Sequence, residues 1–158
     1  QAPTSIWVGI ERPSMYDDIL LPTDGSKGTA ETVEHAISIA RDNDATVHVL
    51  YVLDRRRYRA ADDETKDEVR KSLEEEGERA VEDLQVRLEE AGVAVETAIR
   101  DGIPHREIAT YADEADVDLV TMGTHGRTGR DRVEKLGSVT DRVVKSVERP
   151  VLVVNIGD

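Results

Sequence analysis

Five short apolar runs, separated by segments of helical periodicity, leave this chain few folds to choose from. The runs are Asp18–Pro22, Thr46–Leu53, Val93–Ile99, Asp118–Met122 and Pro150–Asn155. Between the first two, Thr29–Asn43 sets Ala30, Val33, Ile37 and Ala40 on one helical face. A long charged helix from Asp63 to Ala91 follows, with Val69, Leu73, Ala80, Leu84 and Leu88 as its inward stripe. Gly92 ends it where a left-handed cap is favoured, and Gly77 in its interior, at a cost of about 1 kcal/mol relative to Ala, marks a bend or close packing. A third helix opens at Gly102-Ile103-Pro104 and runs to Glu114, and a fourth starts at Ser138. Regular strand-helix alternation requires parallel pairing through right-handed crossovers, with helices on both faces. The expected architecture is a three-layer α/β sandwich around a five-stranded parallel sheet. Such sheets bind ligands beyond the carboxyl ends of their strands, where strand order reverses. That point lies between the first and fourth strands, so Asp24 and the glycine loop after Met122 are expected to face each other.

The loop after the fourth run holds Gly123, Gly126 and Gly137, and joins a buried strand to a helix. Glycines let backbone N–H groups approach an anion, and Ser138 is placed to cap the helix and offer its hydroxyl to the same anion. His125, Arg127, Arg130, Arg132 and Lys135 lie there against only Asp131 and Glu134, in a chain of formal net charge −13. The segment reads either as a phosphate cradle or as a glycine-rich connector with solvated charges. Its local cationic excess favours the cradle.

Acidic side chains number 34 against 21 basic ones, Lys occurs only at Lys27, Lys66, Lys71, Lys135 and Lys145, and Phe and Cys are absent. A carboxylate-rich, Lys-poor surface suits a salt-rich cytoplasm that screens self-repulsion, which predicts a halophilic source; the plainer reading is an acidic, soluble chain. No basic stripe is available to release counterions from a duplex, which argues against nucleic-acid binding. The lack of Cys excludes disulfides, thiol redox chemistry and cysteine-ligated metals. No apolar run is long enough to span a bilayer. At 158 residues one domain is expected, over residues 15–158, with 1–14 as an N-terminal extension. The apolar Ile6–Ile10 around Trp7 leaves open an added edge strand or a subunit contact.

Met15-Tyr-Asp-Asp-Ile-Leu-Leu-Pro-Thr-Asp-Gly-Ser26, Gly102-Ile-Pro-His105, Met122-Gly-Thr-His-Gly126, Gly137-Ser-Val-Thr140 and Arg149-Pro-Val-Leu-Val-Val154 together resemble the universal stress proteins. The likeness runs from Met15 to Val154. It implies the adenine nucleotide alpha hydrolase-like fold with strand order 3-2-1-4-5, and a homodimer formed largely through the last strand, here Val151 to Val154. It also implies membership of the ATP-binding branch, whose members carry Gly, two residues, Gly, nine residues, then Gly-Ser or Gly-Thr. Carried over by position, Gly123, Gly126, Gly137 and Ser138 hold phosphates, with Val139 and Thr140 close behind. Asp24 faces ribose or a phosphate-bound divalent ion, Mg²⁺ or Mn²⁺. Pro22 shapes its loop, Val52 offers backbone to the adenine edge, and Met122 lines the base pocket. His125 and Arg127 lie within the cradle. One departure is Arg127–Leu136, ten residues where the family pattern has nine. The extra residue either bulges harmlessly, helped by Gly129, or turns Gly137-Ser138 away from the phosphates.

Asp24 beside Ser26 also reads as a turn and helix cap. His105 reads as structural or solvated, His35 as helix surface and His48 as a strand residue, none with metal-site spacing. Arg55-Arg56-Arg57 and Arg59 read as a phosphate contact or lid, or as compensation for the acidic stretch Asp62–Glu68. The function expected is a cytoplasmic, homodimeric, ATP-binding, nucleotide-responsive regulator of stress response. The alternatives are a nucleotide-independent dimeric scaffold, a slow ATPase or phosphotransferase, or an AMP-binding protein. Without an identifiable water-activating base, slow hydrolysis is the most that catalysis is expected to amount to.

Overall fold

Side-chain alternation along the strands builds two separate cores, and the helices are distributed to cover them. The computed structural model describes residues 14–125 and 136–156. Its strands are β1 (Asp18–Thr23), β2 (Thr46–Asp54), β3 (Ala94–Gly102), β4 (Leu119–Gly123) and β5 (Val151–Val154). They form one all-parallel sheet in the order β3-β2-β1-β4-β5. The helices are α1 (Gly28–Asn43), α2 (Asp63–Glu90), α3 (Pro104–Glu114) and α4 (Ser138–Ser146). Val47, Val49, Tyr51 and Leu53 of β2 join the core under α1 and α2, whereas Leu50 and Val52 pack in the core under α3 and α4. The architecture is the three-layer sandwich that alternation requires.

Several local expectations shift. On α1, Ala30 is exposed and the buried stripe is Thr32, Val33, Ala36 and Ala40. On α2, Leu73, Gly77, Val81, Leu84 and Leu88 are buried, with Val69 and Ala80 at the margin. Gly77 serves close packing: a Cβ there would lie 2.6 Å from Cδ1 of Tyr51. β3 runs on to Gly102 because its pairing with β2 continues to Asp54↔Gly102, so α3 begins only at Pro104. Residues 1–13, with Trp7, lie outside the described residues.

The β1–β4 ladder stops where a donor is missing. The Asp17 carbonyl accepts from Thr46 N–H of β2, and the Asp18 carbonyl accepts from Asp118 N–H on the β4 side. Even-numbered residues of β1 therefore turn their amide edges toward β4. Pro22 is one of them and has no N–H to give. The β1–β4 register extends only through Ile19↔Leu119 and Leu20↔Val120, and beyond it the strands part.

Candidate functional site

Where β1 and β4 separate lies a cavity of about 460 Å³. Its α3–α4 side is apolar, lined by Leu50, Val52, Pro104, Ile108, Met122 and Val139. Its α1 side is polar, with Thr23, Ser26, Thr29 and Thr32. Pro22, Asp24, Gly123, His125, Gly137, Ser138 and Thr140 complete the sequence-derived residues gathered around it. Gly126 and Arg127, with Arg130, Arg132 and Lys135, lie outside the described residues.

Backbone geometry explains why β2 can meet a ligand. Thr46 N–H reaches Asp17, so even residues of β2 present their amide edges to β1. β1 ends with Thr23 opposite Tyr51. Gly25, which would take the next step, donates its N–H to Thr23 Oγ1 at 3.0 Å instead. The ladder thus stops short of the Val52 carbonyl, at the cavity wall. Nearby, Asp24 Oδ1 accepts from Ser26 N–H at 2.9 Å, a turn that fixes the carboxylate at the end of β1. Neither residue caps α1, whose N-cap position is Lys27, without a side-chain cap.

At the other end of the cavity, Gly137 rather than Ser138 is the N-cap of α4, and Ser138 is its first helical residue. Glycine has no side chain with which to cap, so the first-turn N–H groups of α4 are left without a side-chain acceptor from that position. Gly137 N–H donates to the Thr124 carbonyl at 2.7 Å. A Cβ on Gly137 would lie 3.1 Å from the His125 Cα, so the two ends of the loop touch. The Thr140 hydroxyl donates to the Gly123 carbonyl at 2.8 Å and braces α4 against β4.

Two arginines stand at the rim, each beside a carboxylate. After β2 a single 3-10 turn, Arg55–Arg57, brings Arg56 and Arg57 to the cavity. Arg56 grips Asp54 with two bonds, of 2.9 and 2.7 Å, and Arg57 lies 3.8 Å from Glu76 of α2. Their partners are therefore not the Asp62–Glu68 stretch. Burial opposes the charge on Asp54, but hydrogen bonds and charge from Arg56 hold its pKa below the usual carboxylate value. Across the mouth, burial and then the charges of Arg142, Arg106 and Arg56 push the His105 imidazole below its usual pKa. Among the described residues no group of three or more His, Cys, Asp or Glu side chains is placed to hold a metal ion. His35 is exposed on α1. His48 is 5% exposed, far from surface chemistry, with Nε2 2.9 Å from Asp18 Oδ1 and Nδ1 2.9 Å from the Tyr111 hydroxyl.

The model of the Universal stress protein family matches residues 15–155. The chain belongs to this family. Universal stress protein MJ0531 of Methanocaldococcus jannaschii is 40% identical over 142 residues, covering 89% of this chain and 83% of the relative. The solved structure of protein MJ0577, of the same archaeon, superposes with a TM-score of 0.83 at 36% identity, over 91% of this chain and 99% of that one. As a universal stress protein, the chain carries cavity residues that motif reading passed over: Tyr51, Leu50, Ile108, Thr29 and Thr32. Their signal was positional, at the carboxyl end of β2 and in the opening turns of α1 and α3. Among the described residues β5 pairs with β4 alone, and Val151, Leu152 and Val153 are half-buried on that edge. No helix among the described residues is long and apolar enough to cross a membrane.

Proposed function

We propose that the cavity binds ATP, with Mg²⁺ or Mn²⁺ carried by its phosphates, and that the protein is a nucleotide-responsive regulator in stress response. One observation carries the reading: an apolar sleeve and a helix N-terminus without a side-chain cap open into the same cavity, which the Asp24 carboxylate also lines. A purine fits between Val52, Ile108, Met122 and Val139, with the Val52 carbonyl as acceptor for an exocyclic amine. Phosphates fit at Gly137-Ser138 and the first turn of α4. Asp24 would meet ribose or the divalent ion, which as a hard cation keeps water and phosphate ligands besides one carboxylate. A volume of about 460 Å³ falls within the range of small-molecule sites. Two family structures, each 22% identical to this chain, contain cAMP and AMP, the latter from Arabidopsis thaliana. At that distance they speak for the fold alone.

Homodimerisation through the Val151–Val154 edge and a place in the cytoplasm of a halophile complete the proposal. The role is one of binding, with slow hydrolysis at most. The deciding experiment is calorimetric titration with Mg-ATP and with AMP in molar KCl. Saturable binding that favours Mg-ATP is expected. Absence of binding by the folded protein would overturn the reading and favour a nucleotide-independent scaffold.

A further inference from the structure

We propose that Thr124 and Ile156 are positioning residues for the phosphate end of the cavity, the segment after β5 acting as a clamp on the described junction of Thr124 with Gly137. Nucleotide binding as proposed above supplies the ligand for this inference; the clamp itself is a set of contacts within the protein.

Thr124, the residue following β4, engages three backbone partners at once. Its N–H donates to the Val154 carbonyl at 2.9 Å, and its carbonyl accepts from Gly137 N–H at 2.7 Å. Its hydroxyl accepts from Ile156 N–H at 3.1 Å. The end of β5, the segment beyond it and the cap of α4 therefore converge on one residue, the first and last through its backbone and the second through its hydroxyl. Ile156 then seats itself between α1 and β4. A Cβ on Gly123 would lie 2.7 Å from its Cγ1, and one on Gly28 would lie 3.4 Å from its Cγ2. Gly123 thus lacks a side chain because Ile156 occupies the space, a reason distinct from the approach of a phosphate. Thr140, bonded to the Gly123 carbonyl, ties the same strand end to α4.

Helix N–H donors bind an anion well only when held near their final positions, since a displacement of about 1 Å forfeits much of the interaction. The clamp fixes Gly137 against Thr124 and leaves the apolar sleeve untouched. Loosening it should weaken phosphate binding and spare the nucleoside.

The test compares the full chain with Thr124→Val, Ile156→Ala and Thr124→Ser by amide hydrogen exchange and by titration with Mg-ATP and adenosine. Thr124→Val, which removes the acceptor of the Ile156 N–H, and Ile156→Ala, which empties the packing against Gly123 and Gly28, are expected to speed exchange at Gly137 N–H and to weaken Mg-ATP about five- to tenfold. Adenosine affinity should stay within about twofold, and Thr124→Ser should behave as the parent. Unchanged exchange at Gly137 in both variants, or an equal loss of adenosine and Mg-ATP affinity, would overturn the clamp. A parent that binds no nucleotide would instead remove the nucleotide reading, while exchange at Gly137 still decides whether Thr124 and Ile156 hold that junction.

Discussion

The amino ends of the strands and their carboxyl ends arrange their polar groups in different ways. At the amino pole the groups close on one another. Asp118 Oδ2 accepts from Asp17 N–H and Asp18 N–H at 2.8 and 2.9 Å, joining the starts of β1 and β4. His48 bridges Asp18 and Tyr111, and the Arg100 guanidinium, from the carboxyl half of β3, lies 4.9 Å from the centre of the Tyr111 ring. Arg149 reaches Asp116, Asp113 and the Val117 carbonyl. At the carboxyl pole, Pro22 ends one ladder, Thr23 ends another, and α4 starts without a side-chain cap. Polar groups that satisfy each other hold a fold together, whereas a helix terminus that opens into a cavity suits the proposed ligand.

Substitutions at the two poles should therefore separate affinity from stability. The largest effect is expected for Gly137→Val, whose branched side chain meets the His125 backbone. Mg-ATP affinity should fall about 10- to 100-fold, with a loss of about 1–3 kcal/mol in unfolding stability from the crowding. Equal affinity in parent and variant, measured by calorimetry, would break the comparison at the carboxyl pole. Next comes Asp118→Ala, which strips the acceptor from two backbone N–H groups. It should lower unfolding stability by about 1–2 kcal/mol in denaturant titration and leave nucleotide affinity alone. A smaller loss, about 1 kcal/mol, is expected for Tyr111→Phe, which keeps the ring under Arg100 but leaves His48 Nδ1 without its partner.

The smallest effect sharpens the contrast, because one closed cluster sits on the cavity side. Asp101, near the carboxyl end of β3, accepts hydrogen bonds from Tyr58 and Arg70. Burial opposes its charge, yet these bonds and the Arg70 charge hold its pKa below the ordinary carboxylate value. A depressed folded pKa contributes stability that is present above the unfolded value, near pH 4, and is lost as pH falls through the folded one. Asp101→Asn should flatten the loss of stability on acidification below about pH 4, followed by thermal unfolding across pH. An unchanged profile would place Asp101 outside the closed class.

Strand-helix alternation made the architecture legible, because the apolar runs at Asp18–Pro22 and Asp118–Met122 admit little besides buried parallel strands. Strand order came from family resemblance and is the order the sheet has. The cavity was legible where a residue type is chemically unusual, as at Asp24, Gly137 and Ser138. Ile108, Thr29 and Thr32 escaped because each looks like any other residue of an amphipathic helix, and only their height along the helix brings them to the cavity. His48 escaped for a related reason: its partners Asp18 and Tyr111 are distant in sequence, and only tertiary packing joins them. Ser138 was read as a cap on propensity, but the glycine before it holds the cap position because its bare Cα fits against His125.

Pro22 has a consequence for how the cavity persists. A gap held open by charge repulsion would narrow in salt, and one held open by loose packing would anneal on cooling. The gap between β1 and β4 begins at a nitrogen that bears no hydrogen, so no change of solvent or temperature can supply the ladder bond missing there. Its opening is a matter of constitution, present from the moment the two strands first align.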